Sequence, residues 1–165
     1  MTGLEGSNPS PSAVAALAAQ HAGIQPPVPK PPVPPEIDEF LTKPNPSVIA
    51  TVRQDGTPHT AATWYLWENG RVLVNMDEGR KRLGHLRANP RVSITVLGDG
   101  DWYHQVTLRG HATLEDDPQL EAIDRIARHY TGEAYPTRDR GRVSAWIDVE
   151  SWYGWAQSRF WTGSD

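Results

Sequence analysis

A chain of 165 residues with a net charge of -4 and no cysteine has room for one domain. These figures exclude a basic nucleic-acid footprint, a disulfide framework, a thiolate nucleophile and a cysteine metal site. No apolar run approaches the ~20 residues of a membrane span, and the Ala-dominated residues 14–19 lack the basic start and apolar core of a signal peptide, so a cytoplasmic protein is expected.

Much of the proline lies before Glu36, so residues 1–35 read as a disordered Pro/Ala-rich tail and residues 36–165 as the folded domain. Residues 36–41 suggest one or two helical turns with Ile37, Phe40 and Leu41 inward. Residues 47–54 alternate as a strand and end at Asp55-Gly56, a hairpin turn in which both central residues need positive φ. The return strand spans 58–67, and Asn69-Gly70 turns it into a third strand over 71–76, which predicts a three-stranded meander. Residues 78–88 read as a short helix ended by Asn89-Pro90. A fourth strand covers 91–97 and a fifth 102–115. Asp117-Pro118 then opens a helix with an inner stripe of Leu120, Ile123, Ile126, Ala127 and Tyr130, stopped by Gly132. The last strand spans 142–155. Six strands with inserted helices predict a mainly β, six-stranded antiparallel barrel.

The segment Asn75-Met76-Asp77-Glu78-Gly79-Arg80-Lys81-Arg82-Leu83 puts three consecutive cations in the opening turn of a helix. A helix N-terminus is already positive, and each cation there costs on the order of 0.3–1 kcal/mol. A docked anion reverses that sign, so Arg80, Lys81 and Arg82 make a candidate phosphate cradle. The other reading is a solvated basic face offset by Asp77 and Glu78. A group of Trp and Tyr side chains, Trp64, Tyr65 and Tyr103 among them, can wall a flat ligand, a core or an interface. Trp64 points to the opposite face of its strand from Tyr65.

No metal is expected, since the six histidines have no metal-ligand spacing. Asp116-Asp117 is better explained as a helix cap than as an acid/base pair. No nucleophile elbow, phosphate-binding Gly-Lys loop or dinucleotide fingerprint occurs, and no catalytic acid or base is assigned. That pattern suits hydride transfer, where a cofactor does the organic chemistry and the protein supplies position and electrostatics.

Several runs then carry a resemblance. They are Ile49-Ala50-Thr51-Val52-Arg53-Gln54-Asp55-Gly56-Thr57-Pro58, Thr63-Trp64-Tyr65-Leu66-Trp67, Val72-Leu73-Val74-Asn75, Gly79-Arg80-Lys81-Arg82-Leu83, Leu86-Arg87-Ala88-Asn89-Pro90-Arg91-Val92-Ser93 and Arg109-Gly110-His111-Ala112. Over about residues 36–155 the chain resembles the split β-barrel flavin/deazaflavin oxidoreductases. These are the pyridoxamine 5′-phosphate oxidase-like proteins, in particular their small F420-dependent branch. The resemblance implies a homodimer with two cofactors at the subunit interface and a small-molecule substrate. It puts the cofactor phosphate on Arg80, Lys81 and Arg82, and the ring along Asn75 and Met76 near Thr60, Ala61 and Ala62, with Trp64 a further candidate contact. Tyr103 and Gln105 become candidate contacts from the partner subunit. The implied cofactor is coenzyme F420, with FMN as the alternative; a non-catalytic F420 or flavin carrier is a third possibility. Arg159-Phe160-Trp161 resembles the terminal strand of the true oxidases without their Arg/His substrate segment, so vitamin B6 oxidation is not expected.

Overall fold

The computed structural model describes residues 30–156 and the backbone of 159–161. Residues 1–29 of the expected tail lie outside the described residues. Within the remainder of that segment, Val33 packs on the main core and the Trp152 indole donates to the Lys30 carbonyl at 3.4 Å. Helix α1 (Pro35–Leu41) follows, burying Ile37, Phe40 and Leu41 as its spacing predicts.

Strands β1 (Ser47–Val52) and β2 (Pro58–Thr63) pair antiparallel. The turn between them departs from expectation: Gly56 takes a φ of +84° but Asp55 does not enter the positive-φ region. Asp55 instead accepts the Thr57 N–H at 2.9 Å, and this local bond does the work of the second left-handed residue. At Asn69-Gly70 both residues are left-handed, with φ of +52° and +74°, and they join β3 (Leu66–Glu68) to β4 (Arg71–Asp77).

The expected single strand over 58–67 is therefore two strands, and the meander does not form. Tyr65 breaks it. The phenol is fully buried, with its hydroxyl 2.9 Å from the Leu41 carbonyl and 3.0 Å from that of Lys43, while its neighbour Trp64 is 40% exposed. Seating that ring turns the chain. β2 stays on β1, β3 crosses to β4, and the two become opposite edges of the sheet.

Helix α2 (Lys81–Ala88), β5 (Arg91–Gly98), β6 (Asp101–Asp116), helix α3 (Glu121–Thr131), β7 (Arg142–Ala156) and β8 (Arg159–Trp161) complete the chain. The antiparallel order is β2-β1-β5-β6-β7-β4-β3, with β8 on β7. Eight strands thus replace the six expected, because one expected strand splits and a short one follows the last. The sheet is not closed. Its main core holds Ile49, Ile94, Leu108, Ile147 and Trp152, all fully buried, under α1 and α2. A second cluster, Leu66, Leu73, Leu120, Ile123 and Ile126, lies on the other side of β4 under α3. β4 is consequently buried on both faces, which explains its continuous apolar run.

Candidate functional site

Alternation along β4 sends Val72, Val74 and Met76 into the main core and Leu73 toward α3. The next two residues on Leu73's face are polar: Asn75 and Asp77, both buried. Buried polar groups need partners, and these are fully supplied. Asn75 Nδ2 donates to Asp117 Oδ2 at 3.0 Å and to Ser144 Oγ at 3.1 Å. Its Oδ1 accepts from Arg142 Nε at 2.7 Å, and Arg142 Nη1 donates to Asp77 Oδ1 at 2.5 Å. Asp117 also takes the N–H groups of Ala122 and Ile123, at 3.2 and 3.0 Å, so the expected helix cap ties α3 to the network.

Arg142 is 7% exposed and lies under the Tyr135 ring, 4.4 Å from its centroid. Asp77 meets Arg80 at 3.3 Å and Arg140 at 3.6 Å as well. Arg82 approaches Thr63 Oγ1 at 3.3 Å and, at 3.5 Å, the Asn75 carbonyl, bridging the gap where β2 and β4 diverge. Among the described residues Arg82 makes no ion pair, and its Nε is buried without a partner. Burial, then the charges of Arg80 and Arg142, hold its guanidinium below the ordinary arginine pKa, with Asp77 opposing. Three guanidinium groups, those of Arg80, Arg140 and Arg142, therefore share the Asp77 carboxylate with Arg82 a fourth cation nearby, Asp117 being committed to the α3 amides and Asn75.

The N-terminus of α2 adds to this surplus. Arg80 is its cap residue and makes no side-chain capping bond, and its first turn has no acidic residue. An anion placed here would meet the Arg82 guanidinium, whose Nε is buried without a partner, and relieve the repulsion among the cations. The residues present fit a phosphate.

An open cavity of about 580 Å³ lies beside the cluster, within the range of small-molecule and cofactor sites. Arg80, Arg82, Arg142, Asn75 and Asp77 make its polar side. Its other walls are Met76, Ile123, Ile126, Ala62, Thr63 and the aromatics Trp64, Tyr130 and Tyr135, with Pro44, Pro46, Ser47 and Asp99 at one side. Trp64 stacks on Tyr130 with centroids 5.1 Å apart at 11°. Burial pushes the Tyr130 phenol up to about 12, and its hydroxyl donates to the Asn45 carbonyl at 2.8 Å. It is a wall with its proton committed elsewhere, not an acid.

Of the residues singled out in the sequence, Arg80, Arg82, Asn75, Met76, Ala62 and Trp64 converge on this cavity. Lys81 is exposed on the helix outside it, and Thr60 and Ala61 lie further back along β2. Tyr103, 68% exposed, and Gln105 belong to β6 and do not line the cavity of this chain. Arg142, Arg140 and Tyr135 were not anticipated, and Asp77 was read only as an acid offsetting the basic segment. The one sequence signal was the cation run Arg138, Arg140 and Arg142 leading into an alternating strand.

Residues 33–156 match the family model described as pyridoxamine 5′-phosphate oxidase. Among solved structures the chain is similar to an F420 reductase, at 25% identity over 73% of this chain and 98% of that one, with a TM-score of 0.67. A conserved hypothetical protein of Mycobacterium tuberculosis matches at 22% identity, covering 76% of this chain and 86% of its own, with a TM-score of 0.61. General stress protein 26 of Bacillus anthracis matches at 20% identity over 77% and 98%, with a TM-score of 0.57. The latter two share the fold.

Proposed function

The chain belongs to the pyridoxamine 5′-phosphate oxidase family, a family with oxidoreductase members, and on that premise we propose that it is an F420-dependent oxidoreductase acting on a conjugated small molecule. The observation that carries this reading is Arg82, a half-buried cation with an orphaned Nε and no carboxylate partner, at an uncapped helix N-terminus. The similarity to an F420 reductase at 25% identity supports the deazaflavin over other phosphate-bearing groups. FMN is the second reading, favoured by the family itself and by Lys81, which stands outside the cavity and so adds no grip for a longer acidic chain.

Arg82, Arg80 and the first amides of α2 would hold the cofactor's phosphate. Bound F420 would supply or accept the hydride exchanged with the substrate. Asn75 orients Arg142 by accepting from its Nε, and Asp117 fixes the Asn75 amide by accepting its N–H. The stacked Trp64 and Tyr130 rings would give a bound flat cofactor an aromatic wall. Two titratable side chains of the cavity are already committed, Tyr130 to the Asn45 carbonyl and Asp77 to its arginines.

The homodimer belongs to the same proposal. Trp102 and Tyr103, 72% and 68% exposed and in edge contact at 5.9 Å, form an aromatic pair beside the turn that brings Asp99 to the cavity. A second copy would cover them. Absorbance titration with F420 and with FMN tests the cofactor, and reduced F420 offered with a panel of enones tests the reaction. Tight F420 binding with enone reduction is the expected result. Binding of neither cofactor at micromolar concentration overturns the reading, and binding without any turnover makes the protein a carrier.

A further inference from the structure

The loop over residues 132–141 has no regular secondary structure, yet it delivers two groups to the cluster: the Tyr135 ring against Arg142 and the Arg140 guanidinium beside Asp77. An irregular surface loop is ordinarily among the least stable parts of a fold, so a ring held over a buried cation needs an anchor. That anchor is on α3. Asp124, buried on the helix, accepts the Tyr135 N–H at 3.1 Å and Arg138 Nη1 at 2.5 Å through the same oxygen, Oδ1. Arg138 Nη1 also donates to the Tyr135 carbonyl at 3.2 Å. Both backbone polar groups of Tyr135 are therefore tied down, one directly and one through Arg138. Arg128 stands 3.8 Å from the other carboxylate oxygen.

We propose that Asp124 is a positioning residue of the anion site, acting through Tyr135 to keep an aromatic face closed over the Arg142 guanidinium. The proposal rests on the cofactor reading above and deepens it. Arg142 is held on two edges by Asn75 and Asp77, and the ring covers a face of its plane. A cation against a ring gains most where water is excluded, and a fixed guanidinium presents its remaining donors to an anion without further ordering. Asp124 is not among the residues lining the cavity. Its carboxylate is held below the ordinary range chiefly by Arg138, so the anchor stays charged at neutral pH.

The test compares Asp124→Asn, Tyr135→Ala, Tyr135→Phe and the double variant Asp124→Asn/Tyr135→Ala in the full chain. F420 and FMN are titrated, with inorganic pyrophosphate as competitor. Asp124→Asn and Tyr135→Ala should each raise Kd by about fivefold to twentyfold, and Tyr135→Phe by less than about twofold, since the ring and not the hydroxyl meets the cation. The double variant should be no worse than the weaker-binding single variant, because both remove the same contact. Tryptic cleavage after Arg138 and Arg140 should accelerate in Asp124→Asn with no cofactor present. Should Asp124→Asn fail to fold, Arg138→Gln tests the same anchor from the loop side. Unaltered affinity in a folded anchor variant, or effects that multiply in the double variant, overturns the inference while the cofactor reading stands. Failure of the unaltered protein to bind either cofactor or pyrophosphate overturns both.

Discussion

Arg82 and Arg142 are two buried or half-buried guanidinium groups of the cavity that differ in what each gives to the stability of the fold. Arg142 has its charge answered by Asp77 and its Nε by Asn75, so it holds the fold together. Removing it as Arg142→Met leaves Asp77 on the longer contacts to Arg80 and Arg140, and about 3 kcal/mol of stability should be lost in urea denaturation. Arg82 has no such answer. In Arg82→Ala, cofactor affinity should fall by about 1.5–3 kcal/mol, the range for a hydrogen bond to a charged group. Stability should be unchanged or slightly higher, because a desolvated cation leaves a helix N-terminus. Equal losses of stability in both variants would contradict this division of roles. His85 offers a pH test. Its Nδ1 lies 3.0 Å from Thr51 Oγ1, and burial, then the charges of His59 and Arg53, hold its pKa below 6.5. Near pH 6 the unfolded chain therefore binds this proton more readily than the native one, and stability rises with pH up to about 6.5. Melting temperatures from pH 5 to 7 should climb less steeply in His85→Gln, and an unchanged slope would remove His85 from the account.

At the scale of elements, most of the pattern was legible because it is local. Ile37, Phe40 and Leu41 of α1 and Ile123, Ile126 and Ala127 of α3 are buried where their helical spacing puts them, while Tyr130 of the expected stripe is half-buried. Asp117 caps α3 as read, although the helix begins only at Glu121, after Leu120 has taken a φ of +62°. The boundary moved because the cap reaches across a turn to the Ala122 and Ile123 amides instead of standing next to the helix. Gly110 shows what spacing alone does not reveal. It lies at a register break between β6 and β7, where Arg109 faces Ser151 but Gly110 faces Val149, and a Cβ there would come 1.9 Å from the Asp148 carbonyl oxygen. Backbone cannot yield as a side-chain tip does. Gly110→Ala should cost about 3 kcal/mol, at the upper end for overpacking, and a melting temperature equal to the parent's would show that the bulge relaxes.

For the whole molecule, the proposed dimer makes a prediction of its own. Gel filtration with light scattering should give twice the 18.3 kDa of the chain, and Trp102→Ala/Tyr103→Ala should shift it toward monomer. A monomeric parent protein would leave the aromatic pair unexplained and remove Tyr103 and Gln105 from the site. The sequence by itself determined most of the strands and helices, the Asn69-Gly70 turn and the cation crowding at α2, since each depends on neighbours within a few residues. It could not determine that β2 and β3 part company at Tyr65, because that depends on the distant Leu41 and Lys43 carbonyls. Nor could it bring Arg142 to Asp77, which lies 65 residues earlier. The pairing of β4 with β7 makes them partners across the sheet, and an antiparallel ladder, unlike a helix, joins residues whose separation along the chain carries no periodic sign.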